Sequence, residues 1–366
     1  MPAPTSSTSG TSPTSTTSGT SPTSTTSGTS STAGQTTVPA GSGTSSTVQD
    51  TSTQAAPATT VPSGSNLAPA TTTTPAPTTG ATAGNPLAGA TFYGPNTGAA
   101  QAARTGGTSA EDAALLSDLA QVPTAIWLGA WSGDVAGTVR QAVTGAQASG
   151  AVPVLVAYNV PGRDCGGYSA GGEQTAAGYA QWIQGVANGI GTAKAVVIIE
   201  PDALAQLCGD PAERYRMLGA AVDVLEKNPG TLTYLDAGNP TWIDARTMAQ
   251  RLQSAGVAHA DGFALNVSNF ETTASNVSYG QAVSAALGGA HFVIDTSRNG
   301  NGAGTDWCNP PGRAVGQRPT AATGLAEVDA FLWLKRVGES DGTCNGGPPA
   351  GEFWVQYALG LLRAAA

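Results

Sequence analysis

From residue 91 onward, short runs of β-branched and apolar residues alternate with longer stretches whose apolar positions recur at helical spacing. The pattern predicts strands at 91–93, 124–128, 152–159, 195–200, 232–236, 262–266, 291–295 and 329–335. Helices are predicted at 110–120, 134–150, 173–189, 211–227, 244–255, 273–287 and 352–363. Ser109 stands where it would cap the first of these, Asp134 opens the second, and Pro211 sits early in its helix, where a missing N–H matters least. Strands separated by helices make a mostly parallel sheet. Seven or eight such units in roughly 280 residues suit a distorted (β/α) barrel better than an open sheet.

The first part of the chain has no such pattern. Residues 1–80 hold 53 Ser, Thr or Pro, a single charge at Asp50 and no aromatic residue. A segment of that composition buries too little apolar surface to offset its ordering entropy. Gly-Thr-Ser-Pro-Thr-Ser-Thr-Thr-Ser begins at Gly10 and again at Gly19, and in part at Gly28. Repeats of this kind form extended stalks between extracellular modules, although an inert terminus has the same composition. The expected organisation is therefore a disordered linker over 1–84 and one catalytic-sized domain over 85–366. As a linker, the tail implies a second module outside this chain. Met1–Gly10 carries neither the basic nor the apolar region of a signal peptide.

Charge narrows the partners. With 15 Lys+Arg against 24 Asp+Glu the net charge is −9, and no basic cluster occurs, which disfavours nucleic acid and anionic membranes. The longest apolar runs fall well short of the roughly 20 residues that span a bilayer. Four Cys without a Cys-x-x-Cys, and two His far from any of them, make a zinc cage improbable, and no metal or cofactor is expected. Spacing suggests Cys165 with Cys208 and Cys308 with Cys344; reduced buried thiols are the alternative. Disulfides would place the protein outside the cell.

Candidate chemistry lies where strands end, because barrel loops on that side carry the active site. Strand 152–159 runs into Arg163-Asp164-Cys165, strand 195–200 into Pro201-Asp202, strand 232–236 ends at Asp236, and the last is followed by Glu339-Ser340-Asp341. Each aspartate alone could be a helix cap. Four on one rim point to shared acid–base work, since clustered carboxylates raise one another's pKa and glycosidic cleavage needs a neutral acid beside an ionised one. Trp127, Trp242 and Trp307 fall in rim-side segments, where flat indole faces suit sugar rings. Trp131, Trp182, Trp333 and Trp354 are expected in the core or between helices. Gly167-Tyr-Ser169-Ala-Gly171 matches the nucleophile elbow of serine esterases, but nine residues separate Ser169 from Asn159, and His259 and His291 belong to the opposite end of a barrel.

The chain resembles glycoside hydrolase family 6, the inverting cellulases. The resemblance is carried by Val156-Ala-Tyr-Asn-Val-Pro-Gly-Arg-Asp-Cys165, Ile198-Ile-Glu-Pro-Asp202, Tyr234-Leu-Asp-Ala-Gly238, Asn266-Val-Ser-Asn-Phe270, Asp295-Thr-Ser-Arg-Asn-Gly-Asn-Gly302, Trp307-Cys308 and Trp333-Leu-Lys-Arg-Val-Gly-Glu-Ser-Asp341. It implies hydrolysis of β-1,4-glucan with inversion and two intrachain disulfides. Asp202 would be the general acid, Asp164 its pKa-raising neighbour in a proton relay, Asp341 the candidate base, and Tyr158 the ring beneath the −1 sugar. Trp127, Trp307, Lys335 and Glu339 would bind sugar on the non-reducing side, Trp242 at +1, with Asp236 and Asn266 near the cleft. Asn239 stands where many members have His.

Processive exo-enzymes of the family roof the cleft with two long loops. Only 11 residues lie between Asp341 and Phe353, so an open cleft and endoglucanase action are expected. An exo-acting cellobiohydrolase and a non-catalytic glucan-binding module are the alternatives. A secreted monomer, joined to a carbohydrate-binding module, completes the expectation.

Overall fold

The computed structural model describes residues 84–105 and 109–365. The expected linker, residues 1–84, lies outside the described residues apart from Gly84. The strands are β1 (Phe92–Tyr93), β2 (Ile126–Leu128), β3 (Val152–Ala157), β4 (Ala195–Ile199), β5 (Thr231–Asp236), β6 (Gly262–Leu265), β7 (His291–Asp295) and β8 (Val328–Leu332). The helices are α1 (Thr97–Thr105), α2 (Ala110–Leu119), α3 (Val135–Ala148), α4 (Ala176–Ile190), α5 (Ala203–Gln206), α6 (Pro211–Leu225), α7 (Ala245–Ser254), α8 (Thr273–Ala286) and α9 (Val355–Arg363).

All strand pairs run parallel, in the order β1-β3-β4-β5-β6-β7-β8, and β2 also pairs with β3. The two short strands share one edge: Phe92 is in register with Val152 at the start of β3, and Leu128 with Ala157 at its end. The sheet curls until its far edge approaches that one. Ala125 N–H donates to Trp333 O at 2.9 Å, and Trp127 Nε1–H to Leu334 O at 2.8 Å. Isolated bonds of this kind, in place of a strand ladder, make the expected barrel a distorted one.

Burial on both faces explains the nearly continuous apolar strands. Every residue of β3 and β4 is buried. Leu155, Ala157, Val197 and Ile199 point outward to the apolar faces of α3, α4 and α6, while Val154, Val156, Val196 and Ile198 fill the barrel interior with Tyr234, Val293 and Leu332. Burying each Val, Leu or Ile among them is worth about 1.5–3 kcal/mol. A Cβ at Gly262 would lie 2.0 Å from His291 O, so only glycine allows β6 to approach β7 there. Ser109, Asp134, Asp210 and Asp244 cap α2, α3, α6 and α7 by accepting backbone N–H bonds, as the sequence led us to expect for the first two.

Two strands end earlier than their apolar runs. β3 stops at Ala157 because the N–H groups of Asn159 and Val160 donate to the Glu200 carboxylate. β8 stops at Leu332, and the Asp295 carboxylate takes the N–H groups of Leu334 and Lys335. Side chains thus replace the ladder where the rim begins. Helix α1 was absent from the expectation: it buries only Ala99 and so has no apolar stripe to read. No helix among the described residues is long and apolar enough to cross a membrane.

Candidate active site

The loop after β3 is organised by Arg163, which is nearly buried. It donates to Tyr158 O (2.7 Å), Ser169 O (2.6 Å) and Ala170 O (3.1 Å), and its guanidinium lies 4.8 Å from the Tyr158 ring and 5.0 Å from Trp131. Asp164 and Cys165 next to it adopt left-handed backbone, at φ 55° and 47°. Such conformations persist where the surroundings over-determine them. Here those surroundings include the Ser169 N–H bond to Asp164 Oδ2 at 2.7 Å and the Cys165–Cys208 disulfide. The second disulfide, Cys308–Cys344, ties the loop after β7 to the loop after β8. Both follow the expected pairing and staple rim loops.

After β4 the backbone turns through Glu200 at φ 50° and Asp202 at φ 71°. Asp236 Oδ2 accepts the Asp202 N–H at 2.9 Å and the Gly238 N–H at 3.1 Å, fixing that turn from the end of β5. The Asp202 carboxyl faces the cleft beside other acids. Burial, then the Asp164 charge, pushes its pKa up to about 7, against a hydrogen bond from the Tyr158 hydroxyl. Tyr158 itself is raised by burial and by Asp202 and Asp164, so it remains a phenol. Glu200, wholly buried, is likewise lifted to about 7 by burial despite its backbone N–H partners.

Asp341 has the opposite environment. Arg298 Nη1 lies 2.7 Å from Oδ2, Lys335 Nζ 3.2 Å from Oδ1, and the Asn309 N–H donates to Oδ2 at 3.0 Å. Burial would raise this carboxyl; the Arg298 charge, followed by Lys335, overrides it and holds the pKa at about 2. Arg298 is fixed in turn by Ser268 O and by the Phe270 face 4.2 Å away.

Tyr158, Arg163, Asp164, Asp202 and Asp341 line one cleft of about 940 Å³, together with Trp127, Trp242, Trp307, Lys335 and Glu339. Glu339 pairs with Arg336, and Trp127 meets Tyr158 edge-on at 5.2 Å. Two sequence candidates lie beneath the cleft instead. Asn266, at φ 66° and fully buried, donates to Asp295 O at 2.8 Å and to Glu271 O at 3.2 Å. Asp236 is equally enclosed and acts on the Asp202 backbone. Both turn inward because neighbouring strand ends leave backbone groups that need partners. Asn239 is also buried; its Oδ1 accepts the Thr241 N–H and hydroxyl, shaping the turn that presents Trp242.

Sequence reasoning missed two aromatic residues. Trp131 was expected in the core or between helices, yet it is 59 % exposed and lines the cleft. Tyr168 is also exposed and packs 5.8 Å from Trp307. The large apolar side chains exposed among the described residues are Trp131, Tyr168, Trp242 and Trp307, and all four line this cleft. Trp182 and Trp333 are buried as expected. The esterase arrangement does not form: His259 pairs with Asp223 and His291 with Asp329, and neither lines the cleft beside Ser169.

Residues 87–365 match the family model of glycosyl hydrolases family 6. Endoglucanase A of Cellulomonas fimi is 47 % identical over 265 residues, 70 % of this chain, and the chain spans only 58 % of that relative's length. Endoglucanase 1 of Streptomyces halstedii is 46 % identical over 286 residues, covering 74 % of this chain and 88 % of the relative. The solved endoglucanase Cel6 of Mycobacterium tuberculosis, in complex with a methyl-cellobiosyl-4-deoxy-4-thio-β-D-cellobioside, superposes with a TM-score of 0.73 at 47 % identity, over 77 % of this chain and 99 % of that one. The chain belongs to glycosyl hydrolases family 6.

Proposed function

We propose that the protein is an endo-β-1,4-glucanase that cleaves internal bonds of cellulose with inversion, using Asp202 as general acid. The observation that carries this reading is the Asp202 carboxyl, raised to about 7 beside Asp164 in the aromatic cleft. At mildly acidic pH it holds a proton for the leaving glycosidic oxygen. Water attacks the anomeric carbon from the opposite face and gives up its proton, which Asp164 accepts. Asp341, at about 2, is a poor base; it stays ionised and faces the positive charge that develops on the sugar. The phenol of Tyr158 supports the −1 sugar between Asp202 and Asp164. Trp127, Trp307, Lys335 and Glu339 bind the non-reducing arm, and Trp242 the first sugar beyond the cleaved bond.

The names of the relatives at 46–47 % identity and the 11 residues between Asp341 and Phe353 favour endo action. The neutral partner is a glucan, not nucleic acid or membrane, and no cofactor is called for. Two disulfides at the rim suit a secreted, extracellular protein working as a monomer, with 1–84 as spacer and 85–366 as catalytic domain.

The test is viscometry on carboxymethyl cellulose combined with anomer-resolved NMR of fresh cellopentaose products. Rapid viscosity loss per reducing end and an α-configured new end are expected. Slow viscosity loss would transfer the reading to an exo-acting cellobiohydrolase, a β-configured end would remove inversion, and binding without turnover would leave a glucan-binding module.

A further inference from the structure

We infer that Trp131 supplies a further stacking face for a β-1,4-linked glucosyl unit on the β2 side of the cleft, separate from those of Trp127 and Trp307. The inference rests on the proposed glucanase reading and deepens it. An indole left 59 % exposed forfeits much of the burial that would stabilise it, so its place on the surface calls for a ligand or a partner. Trp131 is not a loosely placed surface residue. It sits on the tight turn Ala130–Ser132 directly after β2, and a Cβ at Gly129 would lie 2.5 Å from its ring, so the indole folds back over its own turn only because that residue is glycine.

A second anchor holds the ring in place. The Arg163 guanidinium lies 5.0 Å from the Trp131 centroid, and Arg163 is itself locked by Tyr158 O, Ser169 O and Ala170 O. The same guanidinium stands 4.8 Å from the Tyr158 ring, so Trp131 is one side chain removed from the floor of the reaction centre. These contacts fix the ring, yet the residue stays exposed where it lines the cleft. A rigid, pre-oriented apolar face loses little entropy on binding, and the axial C–H face of a neutral sugar is its complement.

The competing account is that Trp131 only pins Arg163 and the Asp164 loop. Chain-length dependence separates the two. Binding of cellotriose to cellohexaose is measured by titration calorimetry in the Asp202→Asn background, with Trp131→Ala and the conservative Trp131→Phe compared. Turnover by the unmodified protein is followed in parallel and bears on the proposed function alone. The stacking role predicts about tenfold weaker cellohexaose binding in Trp131→Ala, a smaller loss on shorter chains, and recovery of most of the affinity in Trp131→Phe. With Asp202 intact, Trp131→Ala raises KM more than it lowers kcat. Unchanged cellohexaose affinity overturns the inference. So does an equal kcat loss at every chain length with a displaced pH profile, which is the signature of a loop pin.

Discussion

The ends of β4 and β8 each present an aspartate to the same cleft, and the two are pushed in opposite directions. Asp202 is half-buried among acids, with Asp164 facing its side chain and Asp236 holding its backbone, and it rises to about 7. Asp341 is buried but meets Arg298 and Lys335, and it falls to about 2. Between these values the first carboxyl holds a proton while the second is an anion, which is the division of labour the proposed function needs. Burial works in the same direction on both, so the counter-ions decide the difference. A rim position therefore identifies a carboxylate as a candidate, whereas its charged neighbours assign the task.

Removing the donor breaks the pair most severely. Asp202→Asn keeps the side-chain shape but has no proton of suitable acidity, and kcat should fall by about 10²–10⁴-fold or more, the range for a lost general acid. Cellohexaose should still bind, as calorimetry would register. A variant within tenfold of the parent would remove Asp202 from the role. In the parent, kcat/KM should decline as pH rises through about 7, because the donor is lost there.

Weakening the anion's support sharpens the contrast from the other side. Lys335→Gln leaves Asp341 with Arg298 and the Asn309 N–H alone. Losing one cation at 3.2 Å should raise the Asp341 pKa by about 1–3 units. The acidic limb of the pH–rate profile, or the carboxyl carbon shift in NMR, would report that rise, while the limb near 7 stays with Asp202. If both limbs move together, the two carboxyls titrate as one coupled pair and the contrast is lost.

Strand-end position, which is periodic information, singled out Asp164, Asp202 and Asp341, the family resemblance added Tyr158, and the fold brings all four to one cleft. The sequence did not reach the direction in which a rim side chain turns. Asn266 and Asp236 stand at strand ends like the others, but left-handed backbone at Asn266 and unpaired N–H groups near Asp236 draw them beneath the cleft. Trp131 is likewise indistinguishable by type from Trp182; what exposes it is Gly129 and a loop carrying Arg163 that arrives from more than 30 residues away. Strand ends were overestimated for a related reason. Apolar runs continue past Ala157 and Leu332, yet Glu200 and Asp295 capture the backbone there. Nothing in a single strand's own sequence records a carboxylate from its neighbour.

The smallest expected effect concerns stability, and it tests the same opposition of charge states. A carboxyl raised in the folded protein contributes stability that is complete below its unfolded pKa and is lost as pH rises through the folded one. Asp202 and Glu200, ordinarily 3.8 and 4.5 and here about 7, should therefore weaken the fold between about pH 4 and 7. Asp341 has the reverse sign: its contribution is complete above 3.8 and disappears as pH falls through about 2. Denaturant midpoints should peak near pH 4 and decline on both sides. Asp202→Asn removes one group from the alkaline arm only, so at pH 8 it should be more stable than the parent by up to about 4 kcal/mol, the linkage of a rise from 3.8 to about 7, with the gain shrinking toward pH 4. An inactive variant whose stability advantage is the same at both pH values would show that the Asp202 proton is not retained by the fold.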